Sequence, residues 1–379
     1  MIATIVGAAS ALAWLYLLLA RGGFWRVAEA PAPTGPLANA RVTVVIPARN
    51  EAEGIATAVT SLLTQDHPGP LTIVLVDDHS TDGTADLARA AANALDAADR
   101  LDIIPARDLP PGWTGKLWAV SEGLDRARAT AADFFLLTDA DITHAPENVS
   151  TLVRRALAED LDLTSLMVRL STETLPEKAL IPAFVFFFFM LYPPRWAADP
   201  GSRMAAAAGG CMLVRPAALE KIGGIASIRG ALIDDCSLAA AIKRAGGRIR
   251  LDPSRTTRSS RVYGSAGEIW SMIARTAFTQ LHYSTLLLVG TVLGLAVTYL
   301  APPLLTIFAY GPAQWLGLAT WLAMAACFLP TVRLYDRHPA WALALPAIAA
   351  FYSTATIGSA VNYWRGKGGQ WKGRSQAIR

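Results

Sequence analysis

The run FFLLTDADI carries Asp139 and Asp141 at the end of an apolar stretch. In an extended segment, side chains at i and i+2 share a face, so the two carboxylates are expected together on one side of a strand end. There they repel unless a cation lies between them; a solvated surface turn is the competing reading. Mg²⁺ is typically held by one or two carboxylates together with substrate phosphates. Upstream, VDDHSTDGT puts Asp77 and Asp78 at the end of another apolar stretch, with Ser80-Thr81-Asp82-Gly83 suited to turn and cap a following helix. Acidic groups there can accept hydrogen bonds from a base and a ribose, while capping alone accounts for Asp82. Downstream, Asp234-Asp235 open the helical pattern IDDCSLAAAIKRAGG after the glycine-rich GGIASIRGA. The helix dipole favours carboxylates in a first turn. His144 has no second imidazole at ligand spacing and reads as a turn residue. Cys211, Cys236 and Cys327 are odd in number, far apart and without C-x-x-C spacing, which indicates neither a disulfide framework nor a zinc site.

These clusters need elements to position them. Strand-like runs over 42–46, 71–76, 101–104 and 134–137 alternate with helical patterns over 51–65, from Asp82, and over 117–129 and 146–158. Such alternation predicts an α/β domain with a mostly parallel sheet and helices on both faces. Ligands bind such sheets at the carboxyl ends of the strands, where the polar clusters fall. Two nucleotide fingerprints fail. The first strand runs into PARNE instead of G-x-G-x-x-G, and GWTGKL lacks both the upstream Gly and the Ser or Thr of a Walker A loop.

The chain has 379 residues, 53% hydrophobic and only 17% charged, against a globular norm of about 25% charged. This excludes a disordered chain and argues against a purely soluble one. The net charge of +4 does not signal nucleic acid, because the basic residues lie mostly beside apolar segments. Residues 1–20 are uncharged and long enough to span a bilayer. They read as an anchor; a cleaved signal peptide, with Ala28-Glu29-Ala30 as its site, is the competing reading. Residues 284–330 contain no Asp, Glu, Lys or Arg and suffice for two spans divided near Gly311-Pro312, and 341–361 supply a further one. Arg21, Arg26 and Arg41 put 21–283 in the cytoplasm by the positive-inside rule. Three later spans would then leave the basic tail, with Arg365, Lys367, Lys372, Arg374 and Arg379, outside. Either one apolar segment is re-entrant, with Pro302-Pro303 buried in protein, or the tail violates the rule. The run ALIPAFVFFFFMLYPPRW is too short to span. Its Phe186 to Phe189 suggest an interfacial or re-entrant helix that would admit a lipid hydroxyl, with a buried core helix as the alternative.

In their order over about residues 40–252, VTVVIPARNE, VDDHSTDGT, the DAD of TDADI, GGCMLVRP and DDCSLA resemble the membrane-anchored inverting glycosyltransferases of family 2. PPGWTGKLWAVSEG and the trailing spans are similar to the hopene-associated glycosyltransferases of bacterial hopanoid clusters, related to ceramide glucosyltransferases. The resemblance implies a GT-A fold, Rossmann-like with a mostly parallel sheet. It makes Pro47, Arg49, Glu51 and Asp78 part of the donor nucleotide pocket, with Asp77 beside them. Lys116 would touch the donor diphosphate or base, and Asp139 and Asp141 would hold Mg²⁺ or Mn²⁺. Asp235 would be the general base, matching the second acid of the family's E-D pair, with Asp234 in place of the usual Glu. Processive members carry Q-x-x-R-W where this chain has Arg275-Thr276-Ala277-Phe278-Thr279-Gln280. That departure argues against polymer synthesis and leaves Arg275 a candidate for the diphosphate.

The expected organisation is an anchor over 1–20, a GT-A domain over 40–252, an interfacial helical segment over 253–283, spans over 284–361 and a basic tail over 362–379. The expected activity is metal-dependent transfer of a sugar, from a UDP-sugar or another nucleotide sugar, to a membrane lipid hydroxyl of hopanoid or ceramide-like type. The expected location is a multi-pass protein of the bacterial inner membrane with a cytoplasmic catalytic domain and no nucleic-acid partner. A processive polysaccharide synthase is the nearest alternative. A nucleotidyltransferase would need a glycine-rich first turn, and a transporter or scaffold has no ionisable path through the spans.

Overall fold

A computed structural model describes residues 1–368, Gln370–Trp371 and Arg374–Ser375. Of the basic tail, Lys372 and Arg379 lie outside the described residues. The chain opens with helix α1 (Ile2–Leu19) and then alternates: β1 (Val42–Ala48), α2 (Ile55–Leu63), β2 (Leu71–Asp77), α3 (Thr84–Asn93), β3 (Leu101–Pro105), α4 (Gly115–Ala127), β4 (Phe134–Thr138), β5 (Ile142–Thr143) and α5 (Asn148–Ala158). There follow β6 (Leu163–Arg169), α6 (Leu175–Leu191), α7 (Pro194–Ala198), β7 (Cys211–Val214), α8 (Pro216–Lys221), α9 (Asp234–Arg244) and β8 (Ile249–Ser259). The eight strands form one sheet in the order β3-β2-β1-β4-β7-β6-β8-β5. Only β7 and β5 run against the rest, β7 antiparallel to β4 and β6, and β5 to β8. All seven residues of β1 are buried, as a central parallel strand covered on both faces requires. Val44 and Ile46 face α2, α3 and α5, whereas Val45 points to the side of α4.

Strand β1 has β2 and β3 on one side and β4 on the other, so the chain reverses its direction of travel between β1 and β4. That switch point is the crevice where open α/β sheets bind ligands. One boundary differs from the sequence reading: β8 runs through Pro253 to Ser259, so the sheet extends beyond residue 252, and the helices expected over 253–283 begin only at α10 (Ala266–Ala274) and α11 (Ala277–Gln280).

Among the described residues, four helices are long and apolar enough to cross a membrane: Ile2–Leu19, Thr285–Phe308, Pro312–Leu334 and Pro339–Trp364. The second comprises α12 (Thr285–Leu295), a π-helical stretch (Ala296–Leu300) and α13 (Ala301–Phe308), with Pro302-Pro303 in the first turn of α13. Within this continuous helix Pro302 has no N–H to give to Thr298 O, four residues back, so that carbonyl needs a donor from outside the helix. The third is α14 (Pro312–Leu334); the fourth joins a 3₁₀ turn (Pro339–Ala344) to α15 (Leu345–Trp364). Trp14 of α1 donates its indole N–H to Thr298 O at 2.8 Å and meets Tyr299 edge-to-face.

Helix α6 joins the two parts. Its start is fixed by a capping box, Thr174 with Glu177. Its phenylalanines do not sit at a lipid boundary as expected; Phe186, Phe187 and Phe189 are buried. Phe186 packs on Phe24 and Phe328, and Phe187 on Tyr299 and Tyr352. The alternative of a buried helix describes them, because the apolar helices themselves supply the covering surface.

Candidate active site

The C-terminal ends of β1, β2 and β4 bring the sequence-predicted residues to one edge. After β1, Arg49 donates from Nη1 to Asp78 O at 2.7 Å and lies 3.4 Å from Asp78 Oδ2. Asp78 is buried, and its Oδ1 is 3.1 Å from His79 Nδ1. Asp77 Oδ1 accepts from Ser80 N–H at 3.0 Å, which shapes the turn. Asp82 fastens the two loops: it accepts from Ala52 N–H and from Thr84 N–H, while Gly83 takes the cap position itself with φ 85°. The backbone N–H of Glu51 donates to Thr84 Oγ1 at 2.9 Å. Pro47 is buried in β1 and lines the crevice with Lys116, Asp139 and Asp234.

Lys116, in the first turn of α4, reaches the centre of the edge. Its Nζ is 2.7 Å from Asp139 Oδ1 and 3.2 Å from Asp234 Oδ2. Burial opposes its charge, but Asp139 and Asp234 hold its pKa above the ordinary lysine range. Asp139 is pushed up by burial and by the charge of Asp141, against the pull of Lys116. Asp141 Oδ2 accepts from Ser259 Oγ at 2.8 Å.

The pleat that was to align Asp139 with Asp141 is absent: β4 ends at Thr138, and Ile142 N–H donates to Asp139 O, so residues 139–142 form a turn. The turn nonetheless leaves the two carboxylates close enough for one to raise the pKa of the other. Among the described residues no group of three or more His, Cys, Asp or Glu could hold a metal ion. A cation at this edge would take Asp139 and Asp141 and complete its shell from water or the phosphates of a ligand, the arrangement typical of Mg²⁺. The donor set fits.

Helix α9 supplies the last pair. Asp235 is held by backbone donors, Oδ2 by Gly209 N–H at 2.9 Å and Oδ1 by Cys236 N–H at 2.7 Å. Burial first, and then the charge of Asp234, push its pKa up to about 6. A methyl group at Gly209 would stand 3.4 Å from both Asp235 Oδ2 and Lys116 Nζ, so this backbone lies in contact with the acidic cluster.

His144, read as a turn residue, lies in the connection between β5 and α5 and is buried there, bonded to Thr138 Oγ1 and Asn148 Nδ2, with burial pushing its pKa down to about 3. Arg275 caps the end of α10, its backbone N–H donating to Ser271 O at 3.1 Å, while its side-chain charge acts on Tyr263, which also senses Asp141. Sequence reasoning missed Tyr192. It follows α6, donates to Gln280 Oε1 at 2.8 Å, and its pKa is raised by burial and by Cys236 and Asp235. A tyrosine ending an apolar run beside Pro193-Pro194 was the available signal.

Comparison with known proteins bears on the family and the fold. Residues 43–223 match the profile of glycosyl transferase family 2. The chain is 32% identical over 119 residues to undecaprenyl-phosphate 4-deoxy-4-formamido-L-arabinose transferase of Yersinia enterocolitica, covering 30% of this chain and 32% of that one. It is also 32% identical over 116 residues to 4,4'-diaponeurosporenoate glycosyltransferase of Staphylococcus aureus, covering 30% and 28%. The chain thus spans about a third of the length of the curated relatives it matches. In structure it superposes on the mannosyltransferase PcManGT from Pyrobaculum calidifontis, solved with GDP-Man and Mn²⁺, with a TM-score of 0.60, 19% identity and coverage of 96% of this chain and 99% of that one.

Proposed function

We propose that this chain, whose residues 43–223 form a family 2 glycosyltransferase domain of GT-A fold, moves a sugar from a nucleotide-sugar donor to a membrane lipid hydroxyl. The observation that carries the reading is the convergence of Asp139, Asp234 and Asp235 around Lys116 at the switch point between β1 and β4.

The donor nucleotide lies against Pro47, Arg49, Glu51, Asp77 and Asp78, with its diphosphate toward Lys116. Asp139 and Asp141 would hold Mg²⁺ or Mn²⁺, which would supply positive charge against the leaving diphosphate. Lys116 supplies a fixed positive charge at the same place, and such prepositioned charge is usually the largest catalytic term. Asp235 takes the proton of the acceptor hydroxyl. That oxygen forms the new bond to the anomeric carbon as the bond to the diphosphate oxygen breaks on the opposite face, which inverts the centre and releases the nucleoside diphosphate. Arg275, whose charge acts on Tyr263 together with that of Asp141, is the further candidate for the diphosphate.

The lipid acceptor is supported by two features. Both curated relatives are named for lipid acceptors, undecaprenyl phosphate and a diaponeurosporenoate. In this chain, Tyr192 joins the end of α6, packed on the apolar helices, to the neighbourhood of Asp235. The hopanoid or ceramide-like acceptor implied by PPGWTGKLWAVSEG belongs to the same proposal, as does a multi-pass position in the bacterial inner membrane with the domain on the cytoplasmic side.

The test is purified protein incubated with a panel of labelled sugar nucleotides and total lipid extract, followed by mass analysis. A glycolipid with the anomeric configuration opposite to the donor is expected. Sugar transfer to water or to soluble acceptors alone would overturn the lipid assignment, and release of free sugar nucleotide from a sugar phosphate would indicate a nucleotidyltransferase.

A further inference from the structure

We infer that the segment from Asp336 to Trp364 dips into the bilayer and returns to the face it left, so that the chain crosses three times up to Trp364, and Arg365 and Lys367 lie on the side of the α/β domain. The inference rests on the membrane reading proposed above.

Three helices define the two faces. A methyl group at Gly7 of α1 would touch Leu305 of α13 and Leu316 of α14, so the start of α1 lies with the turn joining α13 to α14. At the other end, Arg21 donates to Met190 O and Leu191 O at the end of α6, on the face of the α/β domain. Helix α14 returns the chain to that same face. Just beyond it, Asp336 pairs with Arg169 of β6 at 2.8 Å and with Arg255 of β8 at 2.6 Å.

From there the chain folds back along α14. The indole N–H of Trp321 donates to Leu343 O at 3.1 Å. Trp321 precedes Leu334 by 13 residues (334 − 321), which at 1.5 Å per residue is about 20 Å along the helix. Leu343 therefore sits well below the end of α14, and α15 must travel from that depth.

Helix α15 ends where α12 begins. Tyr352 Oη donates to Leu180 O at 3.0 Å, beneath α6. Trp270 of α10 seats on Gly358, where a methyl group would come within 2.0 Å of the ring, so only glycine permits the approach. Ser359 Oγ accepts from Phe278 N–H of α11 at 3.0 Å. Tyr363 stacks on Tyr283 with centroids 4.4 Å apart, and Trp364 meets Phe278 edge-on. Tyr283 lies two residues before α12 leaves α11 (285 − 283). A crossing helix would instead carry Tyr363 to the far face, beside Tyr310.

Because α15 satisfies its own backbone hydrogen bonds and packs against α6, α10 and α11, it can sit at membrane depth without crossing. The exposed Arg365 and Lys367 then share a face with Arg21 and Arg26, and the positive-inside rule holds along the whole chain. Their expected neighbours are the anionic headgroups of that leaflet.

Single cysteines at three exposed positions test the topology in the full-length protein, whose own cysteines Cys211, Cys236 and Cys327 are buried. Leu95→Cys reports the α/β domain, Tyr310→Cys the turn between α13 and α14, and Arg365→Cys the end of α15. A membrane-impermeant maleimide is applied to intact cells and to inverted vesicles. The expected result is that Arg365→Cys and Leu95→Cys react from one side and Tyr310→Cys only from the other. Reaction of Arg365→Cys together with Tyr310→Cys would overturn the re-entrant assignment. Reaction of Leu95→Cys and Tyr310→Cys from one side would overturn the membrane reading, and this topology with it.

Discussion

Lys116 touches Asp139 and Asp234 directly and acts on Asp235 through its charge, and this division of contacts makes the carboxylates inequivalent. Asp235 is oriented by two backbone donors, so its replacement by Asn leaves the surroundings largely in place. We expect Asp235→Asn to lower turnover by roughly 10²-fold or more, the usual worth of a positioned base, with donor affinity within a few-fold. Asp234→Asn should cost far less in turnover and show its effect in donor binding, since it frees one contact of Lys116. Steady-state kinetics with separate donor titrations distinguish the two; a dead Asp234→Asn beside an active Asp235→Asn would reverse the assignment. With its pKa pushed up to about 6, Asp235 is protonated below that value and free to accept a proton above it. The rate at low substrate should therefore rise with pH through about 6 and level off above, and a profile flat from pH 5 to 8 would remove Asp235 as base. Asp141→Asn should abolish metal-supported transfer with the fold intact, and excess chelator should do the same until Mn²⁺ or Mg²⁺ is restored.

At the scale of the element, α6 and its capping residue decide how the α/β domain meets the apolar helices. Glu177 is fully buried and accepts from Ser171 Oγ and from the backbone N–H groups of Glu173, Thr174 and Tyr263. It thereby ties the start of α6 to the turn that precedes α10. Burial opposes its charge, but those hydrogen bonds win and hold its pKa below the ordinary range. A depressed carboxyl stabilises the fold above its unfolded pKa, and the contribution disappears as pH falls through the folded value. Glu177→Gln, which keeps size but offers one acceptor oxygen where there were two, should destabilise by roughly 2 kcal/mol or more. The loss should appear as a lower thermal midpoint at neutral pH that narrows toward wild type in acid. An unchanged midpoint would show that Glu177 does not tie the two parts together.

Across the whole molecule, one hydrophobic cluster runs without a break from Val45 and Val76 under the sheet, through Phe186, to Phe328 and Tyr352 of the apolar helices. The α/β domain and the apolar helices are therefore joined by core packing and not by a linker. Deleting residues 1–20 removes Trp14 from Tyr299 but leaves Thr285–Phe308 and Pro312–Leu334 in place. The shortened protein should stay in the membrane pellet after an alkaline carbonate wash, with a lower thermal midpoint. Its release into the supernatant would mean that α1 alone anchors the chain.

Strand-helix alternation, the run of apolar residues in β1 and the four apolar helices were legible because each is written in local periodicity, which needs no distant partner. The acidic clusters were legible for a related reason: β1, β2 and β4 end where their apolar runs end, and a parallel sheet brings those ends to one edge. What only the tertiary structure decided is which side chains meet there. Lys116 lies between Asp139 and Asp234, which are far apart in sequence, and Asp141 shares its site with Asp139 through a turn and not a pleat. The phenylalanines of α6 looked surface-bound because composition records that a side chain is apolar but not what covers it. For the same reason α15 has the composition of a crossing helix: hydropathy measures tolerance of lipid, whereas the path is set by Trp270 on Gly358 and Tyr283 on Tyr363, contacts between residues far apart in the chain.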